Sequence, residues 1–117
     1  MKALIILNDP PYGTERSYNG LRLAHALAKN APEGEVTVFL MADAVSCARK
    51  DQKTPDGYYN IERMLKRVVT GNHALLLCGT CMDARGLSDA DLIAGARRST
   101  MDELAKATIA ADKVLVF

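Results

Sequence analysis

Residues 73–92 read "HALLLCGTCMDARGLSDADL". The run from His73 to Cys78 is short, almost wholly apolar and does not alternate with polar residues. That pattern suits a parallel strand covered on both faces. Two of the three cysteines, Cys78 and Cys81, stand at or just past its carboxyl end. "KALIILN" (2–8), "EVTVFLM" (35–41) and "KVLVF" (113–117) are runs of the same kind.

The segments between these runs read as helices. "DPPYGTER" breaks the first strand with two prolines and a glycine. Ser17 then caps a helix whose apolar stripe is Leu21, Ala24, Leu27 and Ala28. "ADAVSCARK" suits a short helix and "DQKTPDG" a polar loop. "YYNIERMLKRVVT" is helical, with Ile61, Leu65 and Val68 or Val69 facing inward and Gly71 as its left-handed stop. After the cysteines, Ser88 with Asp91 and Thr100 with Glu103 are spaced as two capping boxes. The next helix is thus expected to start at Ser88, leaving Gly79, Thr80 and Cys81 in a loop. Strand and helix in alternation imply right-handed crossovers and a doubly wound, parallel α/β sheet. The final strand is expected at the sheet centre or against another subunit.

The 117 residues suit one domain, 1–117, with a core that needs no disulfide or metal. Hydrophobic residues make up 49%, charged residues 25%, and the net charge is +1. Nothing in this balance calls for a nucleic-acid or membrane partner. No apolar run is long enough to span a bilayer, and the N-terminus reads as a strand rather than a signal peptide. The expected location is the cytoplasm, where three cysteines argue against a disulfide framework.

In open α/β sheets, sites form beyond the carboxyl ends of the strands. Asn8 and Asp9, Met41 and Asp43, and Cys78 fall there. Burial alone accounts for a strand-end Cys78 but poorly for Cys81. Arg85 and the amides ahead of the Ser88 helix would favour a thiolate. Gly79 and Gly86 permit tight turns and let backbone amides approach sulfur. A bound metal is not expected, because one CxxC supplies only two ligands. His73 begins the strand that Cys78 ends, about 16 Å away, and His25 lies within the first helix. The same placement leaves a cysteine nucleophile without a histidine base. Neither GxGxxG nor GxxxxGK[ST] occurs, and no cofactor is expected. A thioredoxin-like dithiol remains open, as does a binding module with incidental cysteines.

Several unlike segments, in order and at matching spacing, resemble the DsrE/DsrF-like family of small sulfur-relay proteins, and within it the YchN-like group. They are "NDPPYGTERSYNGLRLAHAL", "FLMADAV", "QKTPDGYYNIERML", "LCGTCMDARGL" and "ADKVLVF". The resemblance implies a flavodoxin-like three-layer sandwich and assembly into trimers or hexamers. It also implies a persulfide-carrying cysteine seven residues before the Arg of an Arg-Gly pair, which here is Cys78 before Arg85. Cys81 then corresponds to the second cysteine of the YchN-like group and would modulate or resolve the persulfide. The expected function is a cytoplasmic persulfide carrier of sulfurtransferase type. Its partners would be sulfur donors and acceptors, either proteins or small sulfane-sulfur compounds. Arg85, Gly79, Asn8, Asp9 and Tyr12 are the expected pocket and anion-stabilising residues. Cys47 is expected in the core or on the surface.

Overall fold

A computed structural model of the protein describes residues 1–117. Its strands are β1 (Lys2–Leu7), β2 (Glu35–Leu40), β3 (Ala74–Cys78), β4 (Ala96–Ser99) and β5 (Lys113–Val116). Its helices are α1 (Arg16–Asn30), α2 (Ile61–Thr70), α3 (Gly79–Ala84) and α4 (Met101–Ala110). Two 3-10 segments, Ala42–Ala48 and Asp89–Asp91, complete the regular structure. The sheet order is β4-β3-β2-β1-β5, and every neighbouring pair is parallel. The expected α/β sandwich on a parallel sheet is therefore present.

The order explains where the layers fall. From β1 to β4 each crossover steps the same way, so right-handedness puts α1 and α2 on one face. The last crossover returns the chain to the far side of β1, which carries α4 over the opposite face. The α1/α2 face is filled by Ala3, Ile5, Leu7, Val36, Val38, Leu40, Leu75 and Leu77, all buried. On α1, a Cβ at Gly20 would run into Leu7 Cδ2, so the helix sits close because that residue is glycine. The α4 face is thinly covered. Of α4 only Leu104 is buried, and Ile109, Val114 and Val116 are exposed. The last strand thus lies at the sheet edge rather than at its centre.

Four local expectations differ from the structure. Helix α1 starts one residue before Ser17, whose buried hydroxyl instead donates to the Asp9 carbonyl at 2.7 Å. Gly71 has φ −78°, and the left-handed residue after α2 is Asn72 at φ 66°. The Ser88–Asp91 capping box is formed, yet it closes only the three-residue 3-10 turn. The helix that follows the cysteines is α3, and it begins immediately after Cys78. Strand β4, "ARRS", was not foreseen, because two arginines and a serine carry no apolar signature. It sits at an edge, where charged residues are tolerated.

Leu77 is fully buried one residue before the strand-end cysteine. Leu77→Ala is expected to cost about 2–5 kcal/mol in chemical denaturation. A loss below about 1 kcal/mol would mean that the core collapses around the gap and that packing does not fix the end of β3.

Candidate functional site

Cys78 is both the last residue of β3 and the N-cap of α3. Its sulfur takes the place of the usual capping oxygen and accepts the Cys81 amide at 3.4 Å. The Thr80 Oγ1 lies 3.3 Å from the same sulfur and donates its proton when the sulfur is ionised. Cys81 therefore stands in the first turn of α3 and not in a loop, and its own amide serves Cys78.

The two thiols differ in environment. Burial opposes ionisation of Cys78. Hydrogen bonds from the Cys81 thiol, the Thr80 hydroxyl and the Cys81 and Thr80 amides outweigh it, so its pKa falls below the ordinary thiol value. Burial also raises Cys81, and the neighbouring Cys78 thiolate adds to the rise. The Ala42 amide and the Arg85 charge pull the other way without cancelling it. The Ala42 amide donates to Cys81 Sγ at 3.2 Å. Ala42 has φ 52°, a left-handed conformation that non-glycine residues seldom adopt and that often marks functional sites. That turn aims the end of β2 at the cysteine pair.

Arg85 is close, but on the Cys81 side. Its Nε donates to Asp43 Oδ1 at 2.9 Å and its Nη1 to the Cys81 carbonyl at 3.1 Å. The positive charge at the mouth of Cys78 comes from Arg98, on β4. Cys78, Gly79, Thr80, Arg98, Ser99, Thr100 and Met101 line a cavity of about 200 Å³. Gly79 belongs to this wall as expected: a Cβ there would lie 2.8 Å from Arg98 Nε. The parallel pairing of Cys78 with Ser99 brings β4 to the site, and Arg98 reaches it only through that pairing.

The remaining expected pocket residues serve the first loop and the sheet edge. Asn8 Nδ2 donates to the Phe117 carbonyl at 3.4 Å. The Asp9 carboxylate accepts from Thr14 at 2.8 Å and faces Arg16. The Tyr12 hydroxyl donates to Gln52 at 2.7 Å and accepts the Ile61 amide at 3.2 Å, and its ring packs against Tyr58 and Tyr59. None of the three bonds to Cys78 or Cys81; the Asp9 carbonyl instead accepts from the Cys47 thiol at 3.7 Å. Cys47 is fully buried beneath this loop, with burial pushing its thiol up to about 12. His73 lies at the opposite end of the sheet, in a pocket with His25, Lys29 and Arg67. No three metal-ligating side chains cluster anywhere in the chain. No helix is long and apolar enough to cross a membrane.

A parallel α/β sheet with a lowered-pKa cysteine at a strand end and a second thiol one helical turn on defines a small thiol-bearing α/β protein. The chain belongs to the DsrE/DsrF-like family, whose model matches residues 1–117. It is 44% identical to protein YchN of Escherichia coli (strain K12) over 116 residues, 99% of this chain and 98% of that one. The crystal structure of the E. coli YchN protein superposes with a TM-score of 0.95, covering 100% of this chain and 99% of that chain. An uncharacterized protein of Methanocaldococcus jannaschii is 37% identical over 118 residues, covering 100% of both chains. A more distant relative, 27% identical over 129 residues and 100% of both chains, is the sulfurtransferase TusD of Salmonella typhi.

Because its pKa is lowered, Cys78 reaches its full thiolate population at a lower pH than a free cysteine does. Its alkylation rate is expected to level off with a midpoint below that of a free cysteine. Thr80→Val should move that midpoint up, and Cys47 should stay unmodified in the folded protein. A wild-type midpoint at or above the free-cysteine value would show that burial outweighs the donors around Cys78.

Proposed function

We propose that the protein is a sulfur carrier of sulfurtransferase type, with Cys78 as the atom that holds sulfur. The observation that carries this reading is the asymmetry of the pair. The Cys78 sulfur has the Cys81 amide and the Thr80 hydroxyl as donors that favour its anion, whereas Cys81 has the Ala42 amide alone and its pKa is raised by burial. A thiolate is the nucleophile that attacks a sulfane sulfur, and the same donors stabilise the persulfide anion that results. Membership of the DsrE/DsrF-like family and the distant likeness to a protein named a sulfurtransferase support the same chemistry. The partners are a sulfane-sulfur donor and a thiol acceptor, small molecules or proteins. The setting is a reducing cytoplasm, which would keep the three thiols free.

Cys81 gives the carrier an exit. The Cys81 thiol passes its proton to the outer sulfur of the persulfide, the resulting thiolate attacks Cys78 Sγ, the bond from Cys78 Sγ to the outer sulfur breaks, and that sulfur leaves as hydrosulfide with the electron pair. A Cys78–Cys81 disulfide remains, which an external thiol must reduce. The CxxC spacing, with the second thiol in the first turn of the helix that Cys78 caps, also favours a second reading, a dithiol redox protein without sulfur cargo. A reduction potential in the thioredoxin range without any sulfur loading would select that second reading.

The exposed apolar residues Ile109 of α4 and Val114 and Val116 of β5 fit self-association into the trimer or hexamer that the family resemblance implies. Ile109→Asp together with Val116→Asp should lower the mass measured by light scattering to that of a monomer. An unchanged mass would remove this edge from the interface.

The direct test is intact mass after incubation with inorganic polysulfide. Wild type should gain about one sulfur, roughly 32 Da, and Cys78→Ser should gain none. Serine is itself a good N-cap, so this variant removes the sulfur while keeping the start of α3. Cys81→Ser should hold the added sulfur longer than wild type. Full loading of Cys78→Ser would sink the assignment.

A further inference from the structure

The cavity beside Cys78 has a chemistry of its own. Arg98 lies flat against Gly79, close enough that a Cβ on that glycine would stand 2.9 Å from Arg98 Cζ. Its charge is met first by Asp83, then by Asp89, and least by the Cys78 thiolate. Asp83 holds the guanidinium bidentately, Nη1 to Oδ1 at 2.9 Å and Nη2 to Oδ2 at 2.7 Å. That pair fixes the plane of the fork and leaves Nε–H and one hydrogen on each terminal nitrogen to donate. On the same wall, Thr100 Oγ1 accepts the Glu103 amide at 3.1 Å and keeps its own proton to donate. Ser99 is not available, because its hydroxyl is bound to Glu103. The adjacent Arg97 is also tied to Glu103, which leaves Arg98 as the cation at the cavity.

Resting on the carrier reading above, we propose that this cavity is an anion subsite and that Arg98 is its specificity-determining residue. The substrate class it selects is a small sulfur oxyanion that carries a sulfane sulfur. A volume of about 200 Å³ holds such an ion and is small for an organic ligand of drug size. The sulfonate end lies against Arg98 and Thr100, which points the outer sulfur at Cys78. The thiolate attacks that sulfur, and the sulfur–sulfur bond to the sulfonate breaks. Sulfite leaves with the bonding pair, and Cys78 is left as a persulfide anion. No oxidant or reductant is consumed, and the charge is the same on both sides.

The test compares two alkylating agents of similar size, anionic iodoacetate and neutral iodoacetamide, with modification read at Cys78 by peptide mass. The ratio of their rates cancels the thiolate fraction and reports the field at the sulfur. Arg98→Met should lower the iodoacetate preference about three- to ten-fold, the effect of removing one screened charge from the cavity that Cys78 lines. Arg98→Lys should keep part of it, Asp83→Asn should raise it, and added salt should erode it. In parallel, sulfur loading from thiosulfate should fall in Arg98→Met by a similar factor relative to loading from polysulfide. An unchanged ratio in Arg98→Met overturns the anion subsite. A changed ratio with loading from polysulfide but none from thiosulfate overturns the donor class. A changed ratio with no sulfur from either donor supports the subsite and instead defeats the carrier reading.

Discussion

The hydrogen bond from the Cys81 amide to the Cys78 sulfur joins the fold to its chemistry. It ends β3 and starts α3 at the same atom, with no intervening loop. A cysteine used in this way is fixed in three respects. The strand sets its height above the sheet, the helix turn sets the direction of its donors, and the CxxC spacing puts the second thiol one turn on. The donors that complete the cap also favour the anion, so the local structure and the reactivity have one cause.

Around that joint the protein is unequal on its two faces. The side that carries α1 and α2 is a closed core, in which Leu7, Leu40 and Leu77 form one buried row across three strands. The other side has only α4 and leaves apolar residues of β5 uncovered. The topology produces this imbalance, because one crossover alone returns toward β5. By the alternation of the pleat, Cys78 falls on the same face as Leu76 and so toward α4. The reactive sulfur is therefore near the less finished side of the sheet, where the cavity with Met101 and Thr100 opens.

The charges are arranged in pairs with separate duties. Arg85 with Asp43 braces the strained turn at Ala42 and the carbonyl of Cys81. Arg98 with Asp83 spans from β4 to α3 beside Cys78. These are exposed pairs and contribute little to stability. Their use is to orient two guanidinium groups, one beside each thiol.

The sequence by itself determined the class of the fold, the strand ends where a site can form, and the identity of the cysteine pair. Continuous apolar runs and alternating helical periods are local signals, and parallel sheets leave them strongly in the chain. They also placed His73 at the far end of β3, away from the thiols. Only the tertiary structure decided what surrounds the sulfur. A cysteine cap has no place among the usual capping residues, so the start of α3 was invisible beside the well-formed Ser88–Asp91 box. The short strand β4 carries charge rather than apolar residues, so Arg98 could reach the site only through a strand pairing that no local pattern announces. Tyr12, Asn8 and Asp9 stand at the right strand end, but their hydrogen bonds hold the first loop and the C-terminal edge. Sequence position fixes which end of the sheet a residue reaches; its hydrogen-bond partners, set by packing across strands, decide whether it faces the sulfur.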